Sequence, residues 1–311
     1  MQVSAETASH EKNQAALSSV VAAVFLTAFK IVVGVATGSL GILAEAAHSG
    51  LDLMAALVTW FAVRIADRPP DQRHLYGHGK VENLSALFET LLLLVTCAWI
   101  IYEALQRLFV KEVEVDASIW AFLVMAVSIG IDFGRSRVLR RAAIKHNSQA
   151  LEADALHFST DIWSSSVVIA GLIGVKLGEW FPQLRALAKA DALAALGVAL
   201  IVIYVSLQLG RRTVEALIDT APRGLEAQVR QAIEGIPGVV QAHQVRVRSS
   251  GAQLFVDVHV VIDDEMHLHN VHNLTDAVEN AVKQWIPRAD VTVHPEPLAE
   301  VERTNTESPS I

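Results

Sequence analysis

Six apolar runs, each near bilayer-spanning length, constrain this chain more than any other feature. About 20 mainly apolar residues cross the hydrocarbon core as a helix. The runs cover residues 15–36, 41–65, 84–109, 117–139, 149–177 and 190–209 of 311. Charged residues make up only 19% and mean hydropathy is +0.38, whereas soluble domains average about 25% charged. The expectation is a polytopic α-helical membrane protein with six transmembrane helices, seated in a lipid bilayer. Lys30, inside the first run, is expected to snorkel or to pair with a carboxylate in the bundle. Met1 to Gln14 is polar and lacks the apolar core and cleavage site of a signal peptide. The net charge of −8 argues against nucleic acid as a partner. Cys97 is the single cysteine, which excludes an intrachain disulfide and a thiolate zinc cluster.

Six spans return both termini to one side, and basic residues choose it. Arg64, Arg68, Arg73 and Lys80 follow the second run, and Arg135, Arg137, Arg140, Arg141 and Lys145 form a basic loop after the fourth. Arg211, Arg212 and Arg223 follow the sixth. The opposite side carries Arg107 and Lys111, then Lys176, Arg185 and Lys189. The positive-inside rule puts both termini in the cytoplasm of a multi-pass cell-membrane protein.

Two of the runs carry the same polar pattern. Ala44-Glu45-Ala46-Ala47-His48-Ser49-Gly50-Leu51-Asp52 and Ala153-Asp154-Ala155-Leu156-His157-Phe158-Ser159-Thr160-Asp161 both read Ala, carboxylate, Ala, x, His, x, x, x, Asp. On a helix, residues four apart share a face. His48 therefore stacks over Asp52 and His157 over Asp161, with Glu45 and Asp154 pointing roughly the same way. Each pair alone could be an intrahelical hydrogen bond. Ionisable groups inside a span cost about 2.5–3.5 kcal/mol each on the insertion scale and default to function. Brought together, two imidazoles and two carboxylates form a four-ligand N/O site suited to Zn²⁺ or a similar divalent ion.

A second constellation, Asp71, His74 and His78, lies in the Pro- and Gly-rich loop after the second run. It offers three N/O ligands; the plainer reading is a polar loop capping its helices. From about Asp219 the chain reads as soluble. A helix over 224–234, strands over 239–248 and 253–262, a helix over 271–285 and a strand over 290–294 give the order αββαβ, a small two-layer α+β domain. This part holds His243, His259, His267, His269, His272 and His294, followed by Glu296. Antiparallel pairing could bring His243 and His259 together, and His294-Pro295-Glu296 offers two ligands at a strand end. His267 and His269 are placed in a loop, and His10 and His146 on the surface. The domain boundaries expected are 1–14 for a cytoplasmic segment, 15–212 for a transport domain, 213–298 for a metal-binding and dimerisation domain, and 299–311 for a disordered tail.

Together these residues resemble the cation diffusion facilitator family of proton-coupled exporters of zinc and other divalent metals. The likeness rests on His48/Asp52 and His157/Asp161, on His74-Leu75-Tyr76-Gly77-His78-Gly79-Lys80-Val81-Glu82, on Leu217-Ile218-Asp219, and on the His-rich tail domain. It implies a homodimer with a C-terminal ferredoxin-like cytoplasmic domain. It implies a transport site at His48, Asp52, His157 and Asp161, and a loop site at Asp71, His74 and His78. It further implies a cytoplasmic dinuclear site at His243, His259, His272, His294 and Glu296. Glu296 stands where a family member has Asp, a longer arm with the same charge. Lys80 and Asp219 match a charge pair near the membrane surface. His at the head of both motifs points to Zn²⁺, transported and regulatory, with H⁺ as counter-ion. The function expected is a Zn²⁺/H⁺ antiporter rather than an enzyme. Two competing readings are a membrane metal sensor without flux and a membrane metalloenzyme with Glu45 or Asp154 as base.

Overall fold

The computed structural model describes residues 5–109, 119–180, 187–286 and 289–299. They divide into two compact units, one ending at Val214 and the other beginning at Glu215.

The first unit is built from six long helices: α1 (Ala5–Thr37), α2 (Leu40–Ala66), α3 (Lys80–Phe109), α4 (Ile119–His146), α5 (Gln149–Trp180) and α6 (Leu187–Leu217). Among the described residues, five are long and apolar enough to cross a membrane by composition alone. The remaining helix, α5, is 32 residues long and carries Glu152, Asp154, His157 and Asp161 in its first half.

Two helices run well past their apolar stretches. α1 starts at Ala5 and not near residue 15, and α4 continues to His146, so Arg135 to Lys145 are helical and not a loop. The bilayer limits how long an apolar stretch must be, not where a helix stops. Ala, Glu, Lys, Gln and Arg propagate a helix readily, and one face of each extension is buried: Ala8, Lys12, Leu139, Ala143 and His146.

The breaks between helices have local causes. Gly38 turns the chain at φ 66°, and the Ser39 hydroxyl accepts the Ile42 N–H to cap α2. Asn147 takes φ 51°, and the Ser148 hydroxyl accepts the Leu151 N–H at the start of α5. Small residues let the helices approach, as expected where apolar burial does not drive association. Ala16, Ala143, Ala150 and Ala155 pack with Val63, Leu139, Leu151 and Phe158. At Gly34 an added Cβ would stand 2.8 Å from Leu43 Cδ2, so any larger residue would force Leu43 to shift where α1 meets α2.

The second unit has the order α7 (Leu225–Glu234), β1 (Gln241–Ser250), β2 (Gln253–Ile262), α8 (Leu268–Trp285) and β3 (Ala289–Pro297). This is the αββαβ order expected. β1 and β2 form an antiparallel hairpin turning at Gly251, φ 59°. β3 pairs parallel with β2 after the α8 crossover, giving sheet order β1-β2-β3. Val229, Ile233, Val247, Val256, Val258, Val278 and Val282 form its core.

Two boundaries move. α8 begins at Leu268, so His269 lies in its first turn and not in a loop, while His267 occupies the N-cap position. β3 extends to Pro297 because its pairing with β2 continues to Ile262, which puts Glu296 inside the strand. Of the expected tail, residues 300–311 lie outside the described residues.

Candidate metal centres

The first site is assembled by α2 and α5. One helical turn stacks His48 over Asp52, with Nε2 to Oδ1 at 3.9 Å. The same spacing on α5 brings His157 Nε2 to 3.6 Å from Asp161 Oδ2. The helices are joined where His157 Nε2 reaches Asp52 Oδ1 at 3.2 Å. Donor atoms of His48, Asp52 and Asp161 all lie within 4.8 Å of one another. Donors bound about 2.0–2.2 Å from a tetrahedral ion sit roughly 3.4 Å apart, so modest side-chain movement suffices to hold one. His157 Nδ1 and Asp161 Oδ2 are buried and make no hydrogen bond. Unsatisfied buried polar groups are rare, and these two belong to candidate ligand side chains. The site opens at His48, whose side chain is 43% exposed, and closes at His157, at 6%.

The two carboxylates one turn earlier do not join it. Glu45 Oε2 accepts from Lys30 Nζ at 3.3 Å, so Lys30 pairs inside the unit as one of its two expected options, and it also donates to Ser49 Oγ at 2.8 Å. Asp154 is fully buried and accepts from Ser19 Oγ at 3.2 Å.

Ser19 belongs to a network that sequence reasoning does not find. Arg135 Nη2 donates to Ser19 Oγ at 3.1 Å, and its Nη1 donates to Asp132 Oδ1 at 3.0 Å. The guanidinium lies 3.5 Å from the centre of the Phe158 ring, and Phe158 follows His157. Arg135 thus sits in the helix packing around α5, not at a basic surface.

The second site is the loop after α2. Asp71 Oδ1 accepts the backbone N–H groups of His74 at 2.7 Å and Arg73 at 2.8 Å. Those bonds, that from His74 first, hold the Asp71 carboxyl at about 2, below its usual 3.8. The turn they make brings His74 Nδ1 to 3.1 Å from Asp71 Oδ1 and His78 Nε2 to 3.3 Å from Oδ2. The donor atoms of the three residues converge within 4.8 Å. His78 Nδ1 is buried without a hydrogen bond.

The third site hangs from the sheet of the second unit. His243 is paired with His259 across β1 and β2, and His259 with His294 across β2 and β3. The three imidazoles form one row, with ring centres 5.5 and 4.7 Å apart. Glu296, two residues past His294, returns to the same face because strand side chains alternate. Its Oε2 lies 2.9 Å from His243 Nε2 and its Oε1 2.6 Å from His259 Nδ1.

Simple alternation would put His243 on the core face with Val245 and Val247. A register shift between His243 and Arg246, with Gln244 at φ 49°, turns it to the other face. One extra residue in a strand does this. His294 is 3.7 Å from Glu296 and largely exposed. His272 stands on α8 beside Asp276 at 3.7 Å, outside the converged group of His243, His259 and Glu296. Three imidazoles and a carboxylate fit a divalent N/O ion by donor type. Asp219 lies 3.9 Å from Arg248 within this unit.

Burial pushes the Glu296 carboxyl up, but the hydrogen bonds to His259 and His243 outweigh it and hold it below its usual 4.5. A carboxyl lowered in the folded state adds stability that is present above its unfolded value and lost as pH falls through its folded one. In metal-free protein, Glu296→Gln should therefore destabilise the second unit near neutral pH. The difference should close once pH falls below the carboxylate range. Hydrogen exchange of residues 241–262 against pH would check this; a gap independent of pH would mean the carboxylate charge is not involved.

Residues 16–218 match the family profile for the cation efflux transmembrane domain, and residues 221–298 match that for the cation efflux protein cytoplasmic domain. The chain belongs to the cation efflux, or cation diffusion facilitator, family. It is 34% identical over 290 residues to the cation-efflux pump FieF of Yersinia enterocolitica, covering 92% of this chain and 93% of that protein. It is 30% identical over 293 residues to FieF of Pectobacterium atrosepticum, with the same coverage. Among solved structures, the Zn form of CzrB is 26% identical with a TM-score of 0.24, spanning 26% of this chain and 92% of that one. Family membership makes this a membrane transporter that exports divalent metal cations, not an enzyme. Its second unit corresponds to the family's cytoplasmic domain.

Proposed function

We propose that this family member is a Zn²⁺/H⁺ antiporter that exports zinc from the cytoplasm as a homodimer in the cell membrane, with both termini cytoplasmic. The observation that carries this reading is the convergence of His48 and Asp52 from α2 with His157 and Asp161 from α5. Two imidazoles with two carboxylates favour Zn²⁺ over Mg²⁺ or Mn²⁺, which prefer all-oxygen sites. In this reading residues 15–212 carry transport and 213–298 carry dimerisation and metal sensing.

His48, Asp52, His157 and Asp161 bind the cargo as neutral imidazoles and deprotonated carboxylates. Protons and metal therefore compete for the same atoms, which makes exchange of one for the other natural. The open side at His48 receives the ion, and rocking of α2 and α5 against their neighbours exposes it to the far side. There protons reload the ligands and release it. Asp71, His74 and His78 hold metal at the loop. His243, His259, His294 and Glu296, with His272 contributed from α8, hold regulatory Zn²⁺ in the cytoplasmic domain. Filling that site places a cation among the imidazoles and their shared carboxylate and biases the transport unit.

The test is metal uptake into proteoliposomes under an imposed pH gradient, comparing Zn²⁺, Cd²⁺, Co²⁺, Mn²⁺ and Fe²⁺. Gradient-driven uptake led by Zn²⁺ is expected. Uptake that ignores the gradient would remove the antiport, and a different leading ion would remove the zinc assignment. Tight binding with no uptake would favour a sensor.

A further inference from the structure

We propose that Lys12 is a positioning residue for the loop metal site: its single ammonium clamps the two ends of the segment that carries Asp71, His74 and His78. Lys12 Nζ lies 2.5 Å from Asp67 Oδ1 and 2.7 Å from Glu82 Oε1. Asp67 is the C-cap of α2, where the loop leaves, and Glu82 is in the first turn of α3, where it returns. The three ligands all lie between them. Lys12 is 1% exposed and Glu82 is fully buried, so water screens neither charge.

The remaining oxygens, Asp67 Oδ2 and Glu82 Oε2, are buried and make no hydrogen bond. Lys12 is thus the cation that holds these two carboxylates side by side. Without it, the buried Glu82 and the partly buried Asp67 face each other as anions at the base of the loop, and removing the cation from such a group leaves uncompensated charge. Repulsion then spreads the ends of α2 and α3.

The turn inside the loop does not depend on Lys12, because it is set by the bonds of Asp71 to His74 and Arg73. His78 is different. It lies just before α3, with Val81 N–H bonded to its carbonyl at 3.0 Å, so its place follows the end of that helix. Lys12 therefore governs the distance from His78 to Asp71, which is 3.3 Å here. If only a fraction of molecules hold the three ligands together, apparent affinity falls by that fraction. A drop to about one molecule in ten weakens the site about tenfold.

The inference rests on the loop binding metal, and hydrogen exchange on the full-length protein titrated with Zn²⁺ separates the two claims. The midpoint of zinc protection over residues 67–82 reads the loop site, and that over 241–262 reads the cytoplasmic site. Lys12→Met should raise the loop midpoint about tenfold and leave the other unchanged, and Lys12→Arg should restore it. Asp67→Asn, which keeps the Lys12–Glu82 pair intact, should give a smaller rise in the same direction. Equal loop midpoints in wild type, Lys12→Met and Asp67→Asn would overturn the clamp, as would parallel shifts at both sites. An absence of zinc protection over 67–82 in wild type, with the cytoplasmic midpoint measurable, would instead overturn the loop site itself.

Discussion

Zinc uptake into proteoliposomes should fall by at least about 100-fold when Asp52 or Asp161 is replaced by Ala, while the protein still folds and dimerises. Residues that only orient a ligand cost about 10–100-fold when removed, and these two would be ligands themselves. Asp52 Oδ1 is the atom nearest both imidazoles, 3.2 Å from His157 and 3.9 Å from His48. Its loss separates the α2 half of the site from the α5 half. Removing Asp161 takes away the carboxylate one turn along the same helix from His157, 3.6 Å from its Nε2. Both variants only truncate a largely buried carboxylate, so size-exclusion behaviour should match wild type. Retained zinc flux in both would end the assignment of this site.

Arg135→Ala should have the largest effect on stability, lowering the thermal midpoint of the purified protein enough to reduce its yield. Breaking a buried ion pair by deleting one partner costs about 3–5 kcal/mol. Arg135 is buried together with Asp132 and also donates to Ser19. Its removal strands the Asp132 charge and the hydroxyl that supports Asp154. Arg135→Lys keeps the charge but cannot make the fork that reaches two partners, and it should lie between. Thermal unfolding in detergent would order the three proteins. If Arg135→Ala melts with wild type, the network contributes nothing to folding.

The repeated His-x-x-x-Asp pattern was legible because both partners of each pair lie on one helix, where period alone sets their contact. The six helices and the αββαβ order were legible for the same reason: apolar runs and alternation are local signals. What escaped were choices of distant partner. Lys12 lies in a polar lead that reads as a solvated tail, yet its two acids are 55 and 70 residues away. Arg135 opens a basic run that resembles a loop, and only the packing of α4 against α1 and α5 shows it turned inward. His146 was expected at the surface; it is buried, with Nε2 2.8 Å from Glu11. His243 was legible as a candidate but not its face, since the extra residue at Gln244 breaks the alternation that sequence reading assumes.

The imidazole row of the second unit has a mechanical consequence. His243, His259 and His294 are cross-strand neighbours held in place by backbone hydrogen bonds, like teeth cut into a stiff comb. Their spacing belongs to the sheet, and an arriving ion cannot draw the teeth together without tearing the ladder. The compliant parts are Glu296, which can turn about its own side-chain torsions, and groups off the sheet such as His272 on α8. Any signal leaving this cluster is therefore a change of charge and of loose-limb posture, delivered by an unbending frame.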